Sequence, residues 1–560
     1  MLPKNSLSNF RPRLVDSLKG YRLELFWKDL GAGVTVGLVA LPLAIAFAIA
    51  SGVKPEAGLI SAIIGGLIIS AFGGSKVQIG GPAGAFVVVI YTILEHYGLA
   101  NLIIATCLAG VLLFLMGLFK VGNLIKFIPI AIIYGFTSGI GLLICLSQIK
   151  EGLGLSIEKM PADFFSQIIT ISHTLTSASF KSFVLCIFTI AFLVVWPRLM
   201  AFISRKTLAT WVTLIPSIVV ILVAVTMFIK FSGMEVATIG SRFGGIPNSL
   251  PKFQLPDFNW ESAKLLFAPT ITIALLGAIE SLLCARVADT MSDDRHNPNQ
   301  ELMAQGIANF LTPLFGGLAV TGTIARTATN ARAGAQTPIA GIIHALTVLL
   351  AAALAAPWAE FIPMPTLAGI LLFIGWNMIE WSEFKKLPQF NRTYQSIFLG
   401  TFLLTVIFDL TVAVEVGLVL SCIFFIYRIS SITKIESVEL PTTTAHASDI
   451  EAYRVYGSLF FGSIHHIEKL FDPTNTSRVA PKIMILDLYQ VITIDTSGLD
   501  ALRQLHRNLA KKTSTLIVCN ANSQTLSLMT RSGFLDEIGL ANCCPDIESA
   551  YSRAQSLLTI

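Results

Sequence analysis

The chain has 560 residues, of which 54% are hydrophobic and only 13% charged, with a formal net charge of +5. A soluble protein carries about a quarter charged residues, so a soluble enzyme and a nucleic-acid-binding protein are both excluded, and the composition is that of a polytopic α-helical membrane protein. The positive excess lies in short loops, where it reports orientation in a bilayer and not a nucleic-acid-binding stripe.

The chain opens with MLPKNSLSNFRPRLVDSLKGYRLELFWKD, which is polar and basic and lacks the apolar run of a cleavable signal. Residues 1–29 therefore read as a cytoplasmic arm. Apolar segments follow at 30–53, 57–73, 80–94, 99–119, 127–148, 180–197 and 207–230, then at 264–286, 301–315, 321–333, 336–356, 363–379, 394–408 and 411–427. This pattern predicts 14 spans within a membrane domain at 30–430, seven in each half. An odd number per half places the second half upside down relative to the first, so the repeats are expected to be inverted. Lys76, Lys120, Arg198, Arg286, Lys385 and Arg428 fall in loops on the same side as the basic arm. That bias puts both termini in the cytoplasm of a multi-pass protein of the inner (plasma) membrane.

Two stretches break the apolar pattern in corresponding places. GGSKVQIGGPAGAF covers Gly73 to Phe86, and GGLAVTGTIARTATNARAGA covers Gly316 to Ala335. Each has a Gly-Gly pair, a short strand-like piece and a small-residue entry into an apolar run. Paired breaks of this kind point to a binding site at the bilayer midplane, where irregular backbone must line protein or a watery cavity. Gly81, Pro82, Ala83 and Gly84 begin the third span, where small residues let a ligand approach backbone N–H groups and Pro82 costs no donor. In the tenth span Arg326 is a bare cation beside Thr323, Ala325 and Thr327. A guanidinium at that depth marks function unless it is merely interfacial. Two helix amino-termini with Arg326 suit a small inorganic or carboxylate anion. Plain helix–helix packing is the alternative for the glycines.

Glu280 stands near the centre of the eighth span, in GAIESLLCA. A carboxylate there suits reversible protonation and hence proton coupling; a sodium site using Ser281 and Thr323, or a structural pairing with Arg326, are the alternatives. His344 in the eleventh span reads as a satisfied buried histidine, with a proton relay as the alternative. The eight cysteines are scattered without zinc spacing, and no metal or cofactor is expected. No nucleophile–base pair or phosphate-binding glycine loop argues for an enzyme.

Past Arg428, residues 431–448 read as a polar linker and 449–560 as a soluble α/β domain. RVYGSLFFG reads as a strand pair, KIMILDL (482–488) and STLIVCN (514–520) as buried strands, and Asp495 to Leu509 as a helix capped by Asp495 or Thr496.

The runs LPLAIAFAIASGVKP, IGGPAGAF, LLGAIESLLCA and ARTATNARAGAQTP together resemble the sulfate permease family, and ITIDTSGLDAL resembles the signature of a STAS domain. The membrane runs look nearest to a bacterial branch of proton-coupled C4-dicarboxylate transporters. The resemblance implies a core domain (spans 1–4 and 8–11) moving against a gate domain (5–7 and 12–14), a homodimer, and a cytoplasmic STAS domain. It implies an anion contact at Arg326 and an aromatic lining the anion pocket at Phe47. The family position four residues earlier is often Gln, and Leu43 stands there. Ser497 corresponds to the serine phosphorylated in antagonist-type STAS domains, with a plain helix cap as the alternative. The function so implied is secondary active transport of sulfate or a C4-dicarboxylate by alternating access, with proton symport. Sodium-coupled bicarbonate uptake or anion exchange is the alternative, and a membrane-tethered STAS signalling protein a distant one.

Overall fold

The computed structural model describes residues 10–123, 129–157, 160–206, 216–245, 253–256, 260–408, 410–439, 449–468 and 481–559. The chain divides after Leu418 into two compact units.

The first unit is helical. After the short α1 (Arg13–Ser17) come α2 (Leu23–Ala50) and α3 (Pro55–Ile60), which continues through a π-helical turn (Ser61–Gly65) into α4 (Gly66–Phe72). A two-residue strand β1 (Gly80–Gly81) leads into α5 (Gly84–Leu118). At 35 residues α5 would be about 52 Å long if straight. Gly98, with φ 80° and ψ 171°, breaks it, so the segments expected at 80–94 and 99–119 are two helices joined at one glycine.

Then follow α6 (Ile130–Leu153), α7 (Phe164–Thr174), α8 (Phe180–Lys206), α9 (Ser217–Ser232), α10 (Ile239–Phe243), α11 (Trp260–Leu265), α12 (Phe267–Ser292) and α13 (Pro298–Leu311). The span expected at 207–230 is described only from 216. Strand β2 (Thr321–Gly322) opens the nine-residue α14 (Ile324–Arg332), followed by α15 (Ile339–Ala359), α16 (Met364–Met378), α17 (Trp381–Lys386), α18 (Arg392–Ile407) and α19 (Leu410–Ile432). Six helices among the described residues are long and apolar enough to cross a membrane unaided. Of the others, α14 is shortened by the break that the sequence marks at Gly316 to Ala335.

Packing sorts the helices into two groups. In one, α2 packs on α15, and α5 packs on α12 and α13. In the other, α6 packs on α16 and α18, and α16 packs on α8. This is the core and gate grouping that the family resemblance implies. Glycines set the close approaches in both. A Cβ on Gly110 of α5 would lie 2.7 Å from the Gly306 carbonyl of α13, and one on Gly141 of α6 would lie 2.6 Å from the Gly375 carbonyl of α16. Small residues are the usual means of bringing membrane helices together, since lipid offers no hydrophobic drive between them.

The second unit is an α/β domain. Its five-stranded sheet has the order β3 (Lys434–Val438), β4 (Ile450–Leu459), β5 (Ile483–Ile494), β6 (Thr515–Cys519), β7 (Cys543–Cys544). Only the β3–β4 pair is antiparallel. Helices α20 (Ile464–Glu468), α21 (Thr496–Lys511), α22 (Ser523–Arg531), α23 (Phe534–Ile538) and α24 (Ile547–Leu558) complete it. Two expectations are corrected. RVYGSLFFG is the end of one strand, not a pair, and its antiparallel partner is β3, inside the stretch read as linker. The rest of that linker, from 440, lies outside the described residues.

Candidate functional site

The two sequence breaks meet. β1 and β2 pair antiparallel, with Gly80 opposite Gly322 and Gly81 opposite Thr321. Two residues per strand cannot hold a ribbon alone, and side chains fasten it. Thr323 donates from its N–H (2.9 Å) and its hydroxyl (3.0 Å) to the Ile79 carbonyl. Thr327 Oγ1 accepts from the Ile79 N–H at 2.9 Å. Asn330 Nδ2 donates to the Val77 carbonyl at 2.9 Å, and Thr321 Oγ1 to the Gly277 carbonyl of α12 at 3.2 Å. Asn309 of α13 bonds Val320 from both ends of its amide, at 2.8 and 2.9 Å. Extended backbone at membrane depth is thus satisfied by protein groups, as it must be.

From this crossover two helices depart. The residue before α5 is Ala83 (φ −119°, ψ 148°) and the residue before α14 is Thr323 (φ −110°, ψ 113°); neither side chain caps its helix. Their first N–H groups and positive dipole ends are therefore available to a ligand. Ala325 is exposed in the first turn of α14. Gly84, the first residue of α5, lies under Phe47 of α2 and Met378 of α16, whose Cε1 and Sδ would stand 3.3 and 3.2 Å from a Cβ there. Leu43, one turn before Phe47, is buried, as are Gly81, Pro82 and Ala83. Thr323 and Thr327 both bond the Ile79 backbone across the crossover. Thr327 is 0% exposed, and its hydroxyl takes the Ile79 N–H and the Cys284 thiol (3.1 Å).

Arg326 is 1% exposed, and none of its three guanidinium nitrogens has a hydrogen-bond partner among the described residues. Its Nη1 rests against Gly81, where an added Cβ would stand 2.5 Å away; only glycine leaves room for it there. Glu280 of α12 is 7% exposed. Among the described residues neither group has an ion-pair partner, so the alternative of an Arg326–Glu280 pair is not realised. Ser281 is spent locally, its hydroxyl on the Ala278 carbonyl and its own carbonyl on Gln78 Nε2. No group of three His, Cys, Asp or Glu side chains is arranged for a metal among the described residues.

Sequence reasoning missed the polar stripe of α13. Glu301, Gln305 and Asn309 are all fully buried and one turn apart. Glu301 accepts from Gly74 N–H and Gln305 Nε2, each at 2.9 Å. The i, i+4, i+8 spacing of polar residues on an apolar span was the available signal. Asp29 was missed too. Fully buried at the start of α2, it accepts from the N–H groups of Gln336 and Thr337, the Thr337 hydroxyl and Tyr21. Burial and the Asp29 charge push the Tyr21 phenol up to about 12.

In the α/β unit, Asp495 caps α21 by accepting from the Gly498 N–H at 2.8 Å. Ser497 is half-buried in the first turn of that helix. Gly498 lets the helix approach β4, since a Cβ there would meet the Leu459 carbonyl oxygen at 2.4 Å. Asp487, buried at the centre of the sheet, accepts from Arg454 Nε at 2.6 Å and Asn520 Nδ2 at 2.9 Å.

Two half-helices meeting end to end inside an apolar bundle, with uncapped amino-termini and an unneutralised buried cation, define a membrane transporter of anions. The sequence matches the sulfate permease family over residues 26–401 and a STAS domain over residues 442–550, and the chain belongs to the sulfate permease family. It is 40% identical over 529 residues to Bacillus subtilis (strain 168) YvdB, provisionally named a sulfate transporter, covering 94% of this chain and 97% of that one. It is 27% identical to the bicarbonate transporter BicA of a Picosynechococcus species, over 94% of each chain. The murine anion transporter Slc26a9 in its inward-facing state superposes with a TM-score of 0.85, over 97% of this chain and 94% of that one. At 18% identity that likeness is one of fold.

Proposed function

We propose that this chain carries sulfate or a C4-dicarboxylate in symport with protons, as a secondary active transporter working by alternating access. In this reading the anion lies between the amino-termini of α5 and α14. It is held by backbone N–H groups around Gly81, Pro82, Ala83, Gly84 and Ala325, beside Phe47 and Leu43. Arg326 supplies positive charge from behind the β1–β2 pair. Thr323 and Thr327 hold that pair in place instead of touching the anion. Glu280 takes and releases the coupling proton as the core bundle moves against the gate bundle. Fourteen spans, cytoplasmic termini in the plasma membrane, a homodimer, domain limits at 30–430 and 449–560, and regulatory phosphorylation of Ser497 belong to the same reading.

The observation that carries it is the buried Arg326 guanidinium without a protein acceptor, set directly behind two uncapped helix ends. A charge so placed is costly unless an anion shares the region. The test is uptake of labelled sulfate, succinate, fumarate and bicarbonate into proteoliposomes under an inward proton gradient, for wild type and Glu280→Gln. Proton-driven uptake of sulfate or a dicarboxylate, lost in the variant, is expected. Uptake indifferent to both the gradient and Glu280 removes proton coupling. The likeness to BicA along nearly the whole chain favours a second reading, bicarbonate as cargo. A sodium gradient in the same assay separates it.

A further inference from the structure

A buried seam runs behind the β1–β2 pair, between the π-helical turn and α4 on one side and α15 on the other. Three polar side chains follow one another along it. A Cβ on Gly81 would stand 2.5 Å from Arg326 Nη1 and 3.6 Å from Ala62 Cα. One turn beyond Ala62, a Cβ on Gly66 would stand 3.1 Å from the Gly80 carbonyl oxygen, 3.3 Å from His344 Cε1 and 3.4 Å from His344 Nδ1. One turn further, Ser70 faces Gly341 of α15, whose Cβ would meet Ser70 Oγ at 2.1 Å. Residues 62, 66 and 70 share one helix face, and Arg326, His344 and Ser70 are the polar groups met in turn along it.

The hydrogen-bond accounting there does not close with protein groups. Arg326, His344 and Ser70 are 1%, 0% and 4% exposed. Among the described residues Nε, Nη1 and Nη2 of Arg326 and Ser70 Oγ lack a hydrogen-bond partner, and the His344 ring has at most the Gly341 backbone of its own helix, which leaves a ring nitrogen open. Among the described residues no direct hydrogen bond joins Arg326 and His344. Their chemistries are complementary. A guanidinium only donates, a neutral imidazole offers one donor and one acceptor, and a hydroxyl does both. Buried polar groups that gather without bonding one another directly are where ordered water belongs.

We propose that this seam holds ordered water bridging Arg326 to His344 and on to Ser70, and that His344 is a positioning residue for the Arg326 guanidinium. The consequence for transport rests on the role proposed above for Arg326. The imidazole acceptor, acting through water, keeps the guanidinium against Gly81 with its charge behind the helix ends. Without it the cation loses an anchor and the anion binds less tightly.

The first test is a cryo-electron microscopy map of the full-length protein in lipid nanodiscs, at a resolution that shows water. Density within hydrogen-bonding reach of both an Arg326 nitrogen and a His344 nitrogen is expected in wild type, lost or moved in His344→Leu. A dry seam, or a direct Arg326–His344 bond, overturns the proposal. The second test is uptake of labelled sulfate and labelled bicarbonate into proteoliposomes. His344→Leu should raise KM about five- to tenfold with Vmax within about twofold, the loss of one hydrogen-bonded anchor. His344→Gln, which keeps a neutral acceptor, should recover KM to within about twofold of wild type, and in an Arg326→Lys background His344→Leu should add nothing further. Equal impairment by Leu and Gln, in step with lowered thermal stability, reduces His344 to packing and overturns its positioning role. An unchanged KM in Arg326→Lys alone refutes the anion role of Arg326 instead, and the map then judges the water on its own, as it does if neither anion is carried.

Discussion

Thr327→Val removes one hydroxyl from the crossover and keeps the side chain's shape. In the structure that hydroxyl is the acceptor for the Ile79 N–H at 2.9 Å and for the Cys284 thiol at 3.1 Å. Thr327, Ile79 and Cys284 are each 0% exposed, so water cannot replace it. A buried backbone N–H left without a partner costs about 1–3 kcal/mol, and the thiol adds little. Thr327→Ser keeps the acceptor and loses only a methyl, about 1 kcal/mol. Thermal unfolding of the purified full-length protein should therefore show a lower midpoint for Val than for Ser, by a few degrees. Proteoliposomes of either variant should show an anion KM within about threefold of wild type, scaled against roughly tenfold for each 1.4 kcal/mol of lost binding. A Thr327→Val protein that melts like wild type but needs ten times more anion would refute the reasoning and make this hydroxyl an anion ligand.

Gly81→Ala should depress both stability and transport, because its backbone has φ +154° and its Cβ would push on Arg326 Nη1 from 2.5 Å; wild-type uptake kinetics in that variant would contradict the placement of Arg326. Asn309→Ala should cost roughly 2–4 kcal/mol, since it orphans the buried N–H and carbonyl of Val320, and is read by the same melting assay. The docking of the amino-terminal arm should weaken in acid. Burial opposes ionisation of Asp294, but the Arg295 N–H and the Arg13 and Lys76 charges outweigh it and hold the carboxyl below its ordinary 3.8. Its contribution is therefore present above that value and lost as pH falls through the lower folded one, and the protection factor of the Arg13 N–H, bonded to the Gly73 carbonyl, corrected for the intrinsic exchange rate at each pH, should fall there. Gly498→Ala should destabilise the α/β unit, because backbone and not a movable side chain blocks its Cβ; limited proteolysis of the full chain at residues 496–511 reports it.

The two breaks were legible because glycine, proline and small residues interrupt otherwise apolar runs, and their equivalence suggested that they face each other. The register of β1 on β2 was not legible, since it is set by Asn309, Thr321, Thr323 and Thr327 reaching across the fold. The direction of Arg326 was hidden for the same reason: sequence places the cation in the short tenth segment, while the space beside Gly81 and Ala62 decides where it points. Asp29 and Thr337 are 308 residues apart, too far for any local pattern to join them. The π-helical turn at Ser61–Gly65 has no signature in SAIIG. The strand Lys434–Val438 was hidden in a polar stretch because an edge strand with mostly exposed side chains lacks apolar alternation.

The most direct measurement of the central claim is protection of a cysteine at the helix ends by the transported anion. Ala325→Cys, in proteoliposomes with a Cys422→Ser background because Cys422 is exposed, would be treated with an anionic thiol reagent before uptake of labelled sulfate, succinate or bicarbonate. The account expects modification to block uptake and saturating transported anion to slow it, while the background protein is unaffected. Rapid modification that leaves uptake intact, at a rate no anion changes, would place the anion elsewhere and contradict a site between the amino-termini of α5 and α14.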